Sequence, residues 1–362
     1  MNLTPEMKAQ LKEQAKQCVH CKLMSGEMPG AKIFFQDNKT SAMLDIYPFV
    51  KGHASFMTKE HYPMPAYIPG DEFTQMFALI PELAKAMQDA TVSRGFNVFV
   101  AVGGVAGQMS PHFLVHLLPR DPDDNKSNFL FKGTDTMDQG TLQMLAQNMP
   151  IMMRNHFGRH PASWHTGKGN VPAHLTKIYE ENTVVYEDEQ VLVVAPQKTH
   201  GKAHLIVYSK VQAQDIRKLS QEESAHLFFA ASFASTAIFE GMKAHATNIV
   251  LKSGQSPDNP KAELAVHIFG RWQEDGLEKM NWQPKQTQEN LDSLEKELKS
   301  NALTIKYKQK SVAKTQKPTS HISSVQAPAV KRITNSKPST SNTSSSNPHH
   351  DQILKAIERA RR

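Results

Sequence analysis

Shifted against itself by 151 residues, the chain matches itself without a gap. Asp37 falls on Asp188, Lys51 on Lys202, His53 on His204 and Lys59 on Lys210. Glu72 falls on Glu223, Asn97 on Asn248, Gly103 on Gly254, Val115-His116 on Val266-His267 and Arg120 on Arg271. Apolar positions follow, Phe35 with Tyr186 and Phe56 with Val207. A match sustained at one fixed offset marks a duplication, so the fold must be one that a single unit builds twice.

Within each unit the pattern is the same. Strands are expected at 32–36, 40–45 and 53–58, and at 183–187, 191–195 and 204–209 in the second copy, where the residues suit a pleated sheet. Asp71-Glu72 and Glu222-Glu223 then open one long helix per copy, acids being favourable at the positive end of the helix dipole. Strands near 96–102 and 112–118, and near 247–252 and 263–269, close each sheet. Helices over 2–17 and 286–300 flank the pair. The fold class is α+β: two tandem domains, each an antiparallel meander sheet with one long helix.

The expected domain limits are 1–132 and 173–302, joined over 133–172 by a helix at 141–155 and a linker broken at Gly158-Arg159-His160-Pro161. From 303 to 350 Ser, Thr, Lys, Pro and Gln dominate, a composition that buries too little apolar surface to offset ordering entropy, so this tail is expected to be disordered. Residues 351–362 permit a short amphipathic helix, with Ile353, Leu354 and Ile357 on one face and Arg359, Arg361 and Arg362 nearby. It reads either as a fraying, solvated helix or as a docking element.

The net charge of +7 belongs to this tail. Residues 303–362 hold twelve Lys or Arg and two acids, leaving the remainder slightly acidic. The lysines of 306–317 suit contact with nucleic-acid phosphates, and equally suit a solubilising tail. No run of apolar residues is long enough for a transmembrane helix, and the N-terminus lacks a secretory pattern. A cytoplasmic location is expected. The two cysteines form Cys18-x-x-Cys21, a spacing used for redox or metal chemistry.

The stretch from Gln108 to Arg120 alternates apolar residues with histidines, as a half-buried strand with 112, 114 and 116 on one face. His112 and His116 flank Leu114. Upstream lie Cys18-Val19-His20-Cys21, Leu44-Asp45-Ile46, Lys51-Gly52-His53, Lys59-Glu60-His61-Tyr62 and Ala106-Gly107-Gln108. In order and spacing these resemble the histidine triad (HIT) family, whose signature is His-x-His-x-His.

The resemblance implies a closed structural zinc site in the first copy, with Cys18, Cys21, His61 and His112 at the ligand positions. The second copy has Gln212 and Glu263 in place of the histidines and no cysteine, so it is expected to bind no zinc. In catalytic members the middle histidine attacks the α-phosphorus, the third neutralises the phosphate, and an aspartate binds ribose hydroxyls. Here the nucleophile position is Leu114; Asp45, Gln108 and His116 remain as nucleotide-binding candidates. Ala101 and Met109 stand where the family has further phosphate-contacting groups. His116 is one strand pair beyond position 114, roughly 6–7 Å away, too far to replace the nucleophile.

In the second copy Glu263, Ala265 and His267 occupy the triad, and Pro196 replaces Asp45. His267 reads as structural, and His53 and His204 as turn-stabilising. The resulting expectation is a catalytically degenerate nucleotide-binding or regulatory protein taking a purine nucleotide in its first copy. The alternatives are a nucleotide hydrolase or nucleotidyl transferase with rearranged catalytic residues, and a nucleic-acid-associated scaffold acting through residues 303–362. Because HIT subunits pair edge to edge, the second copy is expected to make an intramolecular pseudo-dimer, and the chain to be a monomer or weak dimer.

Overall fold

The computed structural model describes residues 4–157 and 171–308. The Gly158–Pro161 break, nearly all of the tail and the 351–362 segment lie outside the described residues. The first copy comprises α1 (Pro5–Gln17), α2 (Val19–Ser25), β1 (Ile33–Gln36), β2 (Thr40–Leu44), β3 (Ala54–Thr58), α3 (Gly70–Ala78), α4 (Ile80–Thr91), β4 (Gly95–Val102) and β5 (Val115–Arg120). Then follow α5 (Gln139–Phe157), α6 (Thr176–Glu181), β6 (Thr183–Glu187), β7 (Val191–Ala195), β8 (His204–Ser209), α7 (Gln221–Gly241), β9 (Ala246–Gly254), β10 (Ala265–Arg271) and α8 (Leu291–Ala302).

Two expectations about single elements need correction, and a third concerns the sheet order. The first copy's long helix is split into α3 and α4, because Pro81 in the first turn of α4 has no N–H with which to continue α3. The second copy, lacking that proline, runs unbroken through α7 from a Ser220–Glu223 capping box. The strand expected at 112–118 begins only at Val115. Ahead of it, the Phe113 N–H bonds the Tyr62 carbonyl and the His112 N–H bonds Ser110 Oγ, which bend the chain away from the sheet.

All ten strands form one antiparallel sheet in the order β1-β2-β3-β5-β4-β9-β10-β8-β7-β6. This is not a plain meander. The helical connection carries the chain past the place of β5, so β4 takes the outer position and β5 returns between β3 and β4. β4 is thereby free to pair with β9, from Gly95 with Gly254 to Val102 with Thr247. Gly103 and Gly254, equivalent in the repeat, bound this seam with φ of +98° and +65°. A Cβ would lie 2.9 Å from Ala246 Cβ at the first and 2.4 Å from the Arg94 carbonyl at the second, so both positions require glycine.

One face of the sheet carries α3, α4 and α7 over a core that spans both copies. There Phe77 stacks on Phe228 and Phe73 packs on Phe229. The helix after each copy crosses to the other: α5 lies against β6 and α7, while α8 lies against β1 and α4. Asn301 donates to the Ala86 carbonyl at 3.2 Å, fixing the second crossing. A fully buried pair, Arg120 and Asp258 at 2.9 Å, joins the copies near the seam. The opposite face carries the histidines and is covered by two connecting segments, which bring Phe129 and Phe131 from one side and Met280, at the end of a 3-10 turn, and Trp282 from the other.

Candidate functional site

The structure draws two clusters from the first copy. In one, Cys18 caps α2, Cys21 lies within it, His61 lies in the turn after β3, and His112 precedes β5. Their ligand atoms all lie within 4.8 Å of one another. Cys21 Sγ is 3.4 Å from His61 Nδ1 and 3.5 Å from His112 Nδ1, and Cys18 Sγ is 3.9 Å from His112 Nδ1. His112 Nε2 bonds the Thr58 carbonyl at 3.0 Å, so its proton is on Nε2 and its Nδ1 lone pair faces the thiols. A hydrogen bond from Cys21 holds the Cys18 thiol far down, whereas Cys18 and burial push Cys21 up. This buried group is capable of coordinating a metal ion.

The second cluster is Asp45, His53 and His116. The Phe49 N–H donates to His53 Nδ1 at 3.1 Å, so His53 Nε2 carries the proton and donates to His116 Nδ1 at 3.0 Å. His116 therefore carries its own proton on Nε2. Burial pushes both imidazoles down to about 3, keeping them neutral. Asp45 Oδ2 lies 3.9 Å from His53 Nδ1, and Asp45 Oδ1 accepts the Tyr47 N–H at 2.8 Å. Sequence reasoning gave His53 only a turn role; here it bonds the turn and also orients His116.

Gln108 stands apart from this cluster. Its Oε1 accepts the Gly103 N–H at 2.8 Å and its Nε2 donates to the Pro63 and Ser110 carbonyls at 2.8 and 3.0 Å, so its amide braces the glycine loop. Leu114 is half-buried. Met109 is 67% exposed and fills nothing. His20 bonds Ser110 Oγ at 3.0 Å and meets the His112 ring edge-on.

Trp282, from the segment after the second copy, meets His53 and His116 edge-on at 5.4 Å each and tilts on Phe49 at 4.9 Å. Phe131, from the segment after the first copy, meets His267 at 4.9 Å and Phe269 at 4.6 Å. The repeat offset maps Phe131 onto Trp282, so the exchange is reciprocal. That offset was the available signal for both residues. His204 and His267 repeat the first copy's relay: the His200 N–H donates to His204 Nδ1 at 3.3 Å, and His204 Nε2 to His267 Nδ1 at 3.0 Å. Glu263 and Ala265 complete the corresponding positions without a metal cluster among the described residues.

The HIT domain family model matches residues 26–123 and 179–274, more than half of the chain, and the chain belongs to this family as a tandem of two such domains. Over 107 residues it is 35% identical to an adenylylsulfatase of Arabidopsis thaliana, covering 30% of this chain and 54% of that protein. It thus spans about half the length of that relative. Over 113 residues it is 33% identical to an adenosine 5'-monophosphoramidase of Saccharomyces cerevisiae, covering 31% of this chain and 67% of the other. A solved Streptococcus mutans protein is 31% identical, with 38% of this chain and 85% of that one covered at a TM-score of 0.34. Among the described residues no helix is long and apolar enough to cross a membrane.

Proposed function

We propose that the first copy binds a purine nucleoside monophosphate without forming a covalent nucleotidyl intermediate, and that the protein acts through that binding. The observation that carries this reading is the contrast at one site: His53 still orients His116, while Leu114 offers no nucleophile. His116 Nε2–H would donate to the phosphate and Asp45 would accept ribose hydroxyls. Gln108 contributes by holding the Gly103–Gly107 loop. His116 is unsuited to attack, since its Nδ1 accepts from His53 and its Nε2 is protonated. The names of the two curated relatives, both acting on adenylyl compounds, favour adenine as the base.

Zinc is the metal proposed for Cys18, Cys21, His61 and His112. A tetrahedral ion with Zn–S of about 2.3 Å and Zn–N of about 2.0 Å would set sulfur and nitrogen roughly 3.5 Å apart, and three of the four sulfur–nitrogen pairs lie 3.4 to 3.9 Å apart. Four protein ligands close the site, so the ion holds α2 against β3 and β5 and leaves no position for substrate. The domain limits, a monomer or weak dimer in the cytoplasm, and the tail's role as a solubilising or nucleic-acid-binding segment are parts of the same reading.

The test is calorimetric titration of the full chain with AMP, GMP and a diadenosine polyphosphate, with chromatography of the mixtures after overnight incubation. Binding without product, weakened in Asp45→Ala, is the expected result. Turnover that disappears in His116→Ala would make the protein an unconventional phosphotransferase and overturn the reading.

A further inference from the structure

The glycine loop of the first copy and its counterpart in the second differ at one position that reaches across the seam. Asp258 stands where the repeat offset places Gly107. Gly107 leaves room for the segment after the second copy, since a Cβ there would lie 2.4 Å from Asn281 Oδ1. Asp258 instead grips the segment after the first copy. Its Oδ2 accepts from Arg120 Nη1 at 2.9 Å and from the Phe129 N–H at 3.1 Å, and its Oδ1 accepts from Ser256 Oγ at 2.7 Å. Arg120 in turn donates from Nη2 to the Lys126 carbonyl at 2.7 Å and from Nε to Asp124 at 2.6 Å, so the segment folds around one guanidinium. Asp258 is 1% exposed, so no bulk water stands by to replace a lost partner, and an unanswered buried donor is costly.

Phe129 links that grip to the first-copy histidines. Its buried ring stacks on Phe99 at 5.6 Å and tilts on Phe49 at 6.0 Å. The same two rings hold Trp282, at 5.2 and 4.9 Å, and Trp282 meets His53 and His116. In a close-packed interior, a ring that shifts moves the rings resting on it. The grip runs one way. At the repeat position of Phe129, the Met280 N–H bonds the Leu277 carbonyl within its own segment. Arg271, the mate of Arg120, bonds Asn248 and Asp275 of its own copy.

We propose that Asp258 is a positioning residue for the nucleotide site of the other copy. The second copy has turned its glycine loop into a strut that, through Phe129, sets Trp282 against His53 and His116. Its effect on affinity rests on the nucleotide reading of the first copy; its effect on Trp282 does not.

The experiment compares Asp258→Ala with Phe77→Ala, a core truncation on the other face of the sheet, in the full chain. Asp258→Ala is expected to weaken AMP binding about fivefold and to shift the tryptophan emission of the ligand-free chain. That shift should vanish when Trp282→Phe is added. Phe77→Ala should lower the melting temperature and leave both readouts unchanged. Unaltered emission or unaltered AMP affinity in a cooperatively melting Asp258→Ala chain overturns the proposal, as does an equal affinity loss in Phe77→Ala. Should Asp258→Ala fail to melt cooperatively, Phe129→Leu, one step along the same contacts, is measured with the same expectations and the same overturning results. If the unaltered chain binds no AMP, the nucleotide reading fails and emission decides alone. A Trp282-dependent shift then supports the strut, and its absence overturns it.

Discussion

Phe77 and Phe228, equivalent residues of the two copies, stack on each other with centroids 4.6 Å apart and planes 25° apart. A residue meets its own repeat mate only at a two-fold axis, so this pair marks the pseudo-axis of the chain. Beside it Ser224 Oγ donates to the Phe77 carbonyl at 2.7 Å. With the sheet continuous beneath and α5 and α8 exchanged above, the two copies share one core. Phe77→Ala or Phe228→Ala should therefore cost about 3–5 kcal/mol, and the described part of the chain should unfold in one transition. Calorimetry checks this; two resolved transitions would contradict it.

The Cys18, Cys21, His61 and His112 group predicts about one equivalent of zinc in purified protein by elemental analysis. Cys21→Ser should lose the metal, and a strong chelator should lower the melting temperature of the unaltered chain but hardly that of the variant. A metal-free native protein with the same melting temperature in chelator would refute the assignment.

Buried neutral histidines make stability depend on pH. His53, His116 and His204 each ionise at about 3 in the folded chain against an ordinary 6.5. Between those values the unfolded chain binds more protons, so stability is complete above 6.5 and falls as pH falls toward 3. Each histidine adds a slope approaching about 1.4 kcal/mol per pH unit. The upper part of this window lies above ordinary carboxylate titration and isolates the effect. Denaturation midpoints measured there should decline with acid, less steeply in His204→Asn; a flat profile would be the opposing result.

Trp282 should report occupancy of the first copy. Its ring touches His53 and His116, the groups proposed to meet the phosphate. AMP should change tryptophan emission in the unaltered chain, and Trp282→Phe should remove that change although Trp164 and Trp272 remain. An emission change that persists in the variant would place the ligand elsewhere.

Much of this was legible in the residues alone. The 151-residue offset gave the duplication, residues suited to a pleated sheet gave most of the strands, and the resemblance of short ordered motifs to the HIT family grouped Cys18, Cys21, His61 and His112. These are local or repeated signals, which spacing carries. Tertiary structure decided the rest. Pro81 split the long helix expected to open at Asp71-Glu72, and hydrogen bonds from His112 and Phe113 delayed β5. The His53–His116 and His204–His267 relays join residues 63 positions apart across two strands. Trp282 and Phe131 reach their histidines only because each copy's trailing segment crosses the shared sheet. Periodicity says which face of a strand a residue occupies; which distant side chain comes to lie against that face is settled by packing.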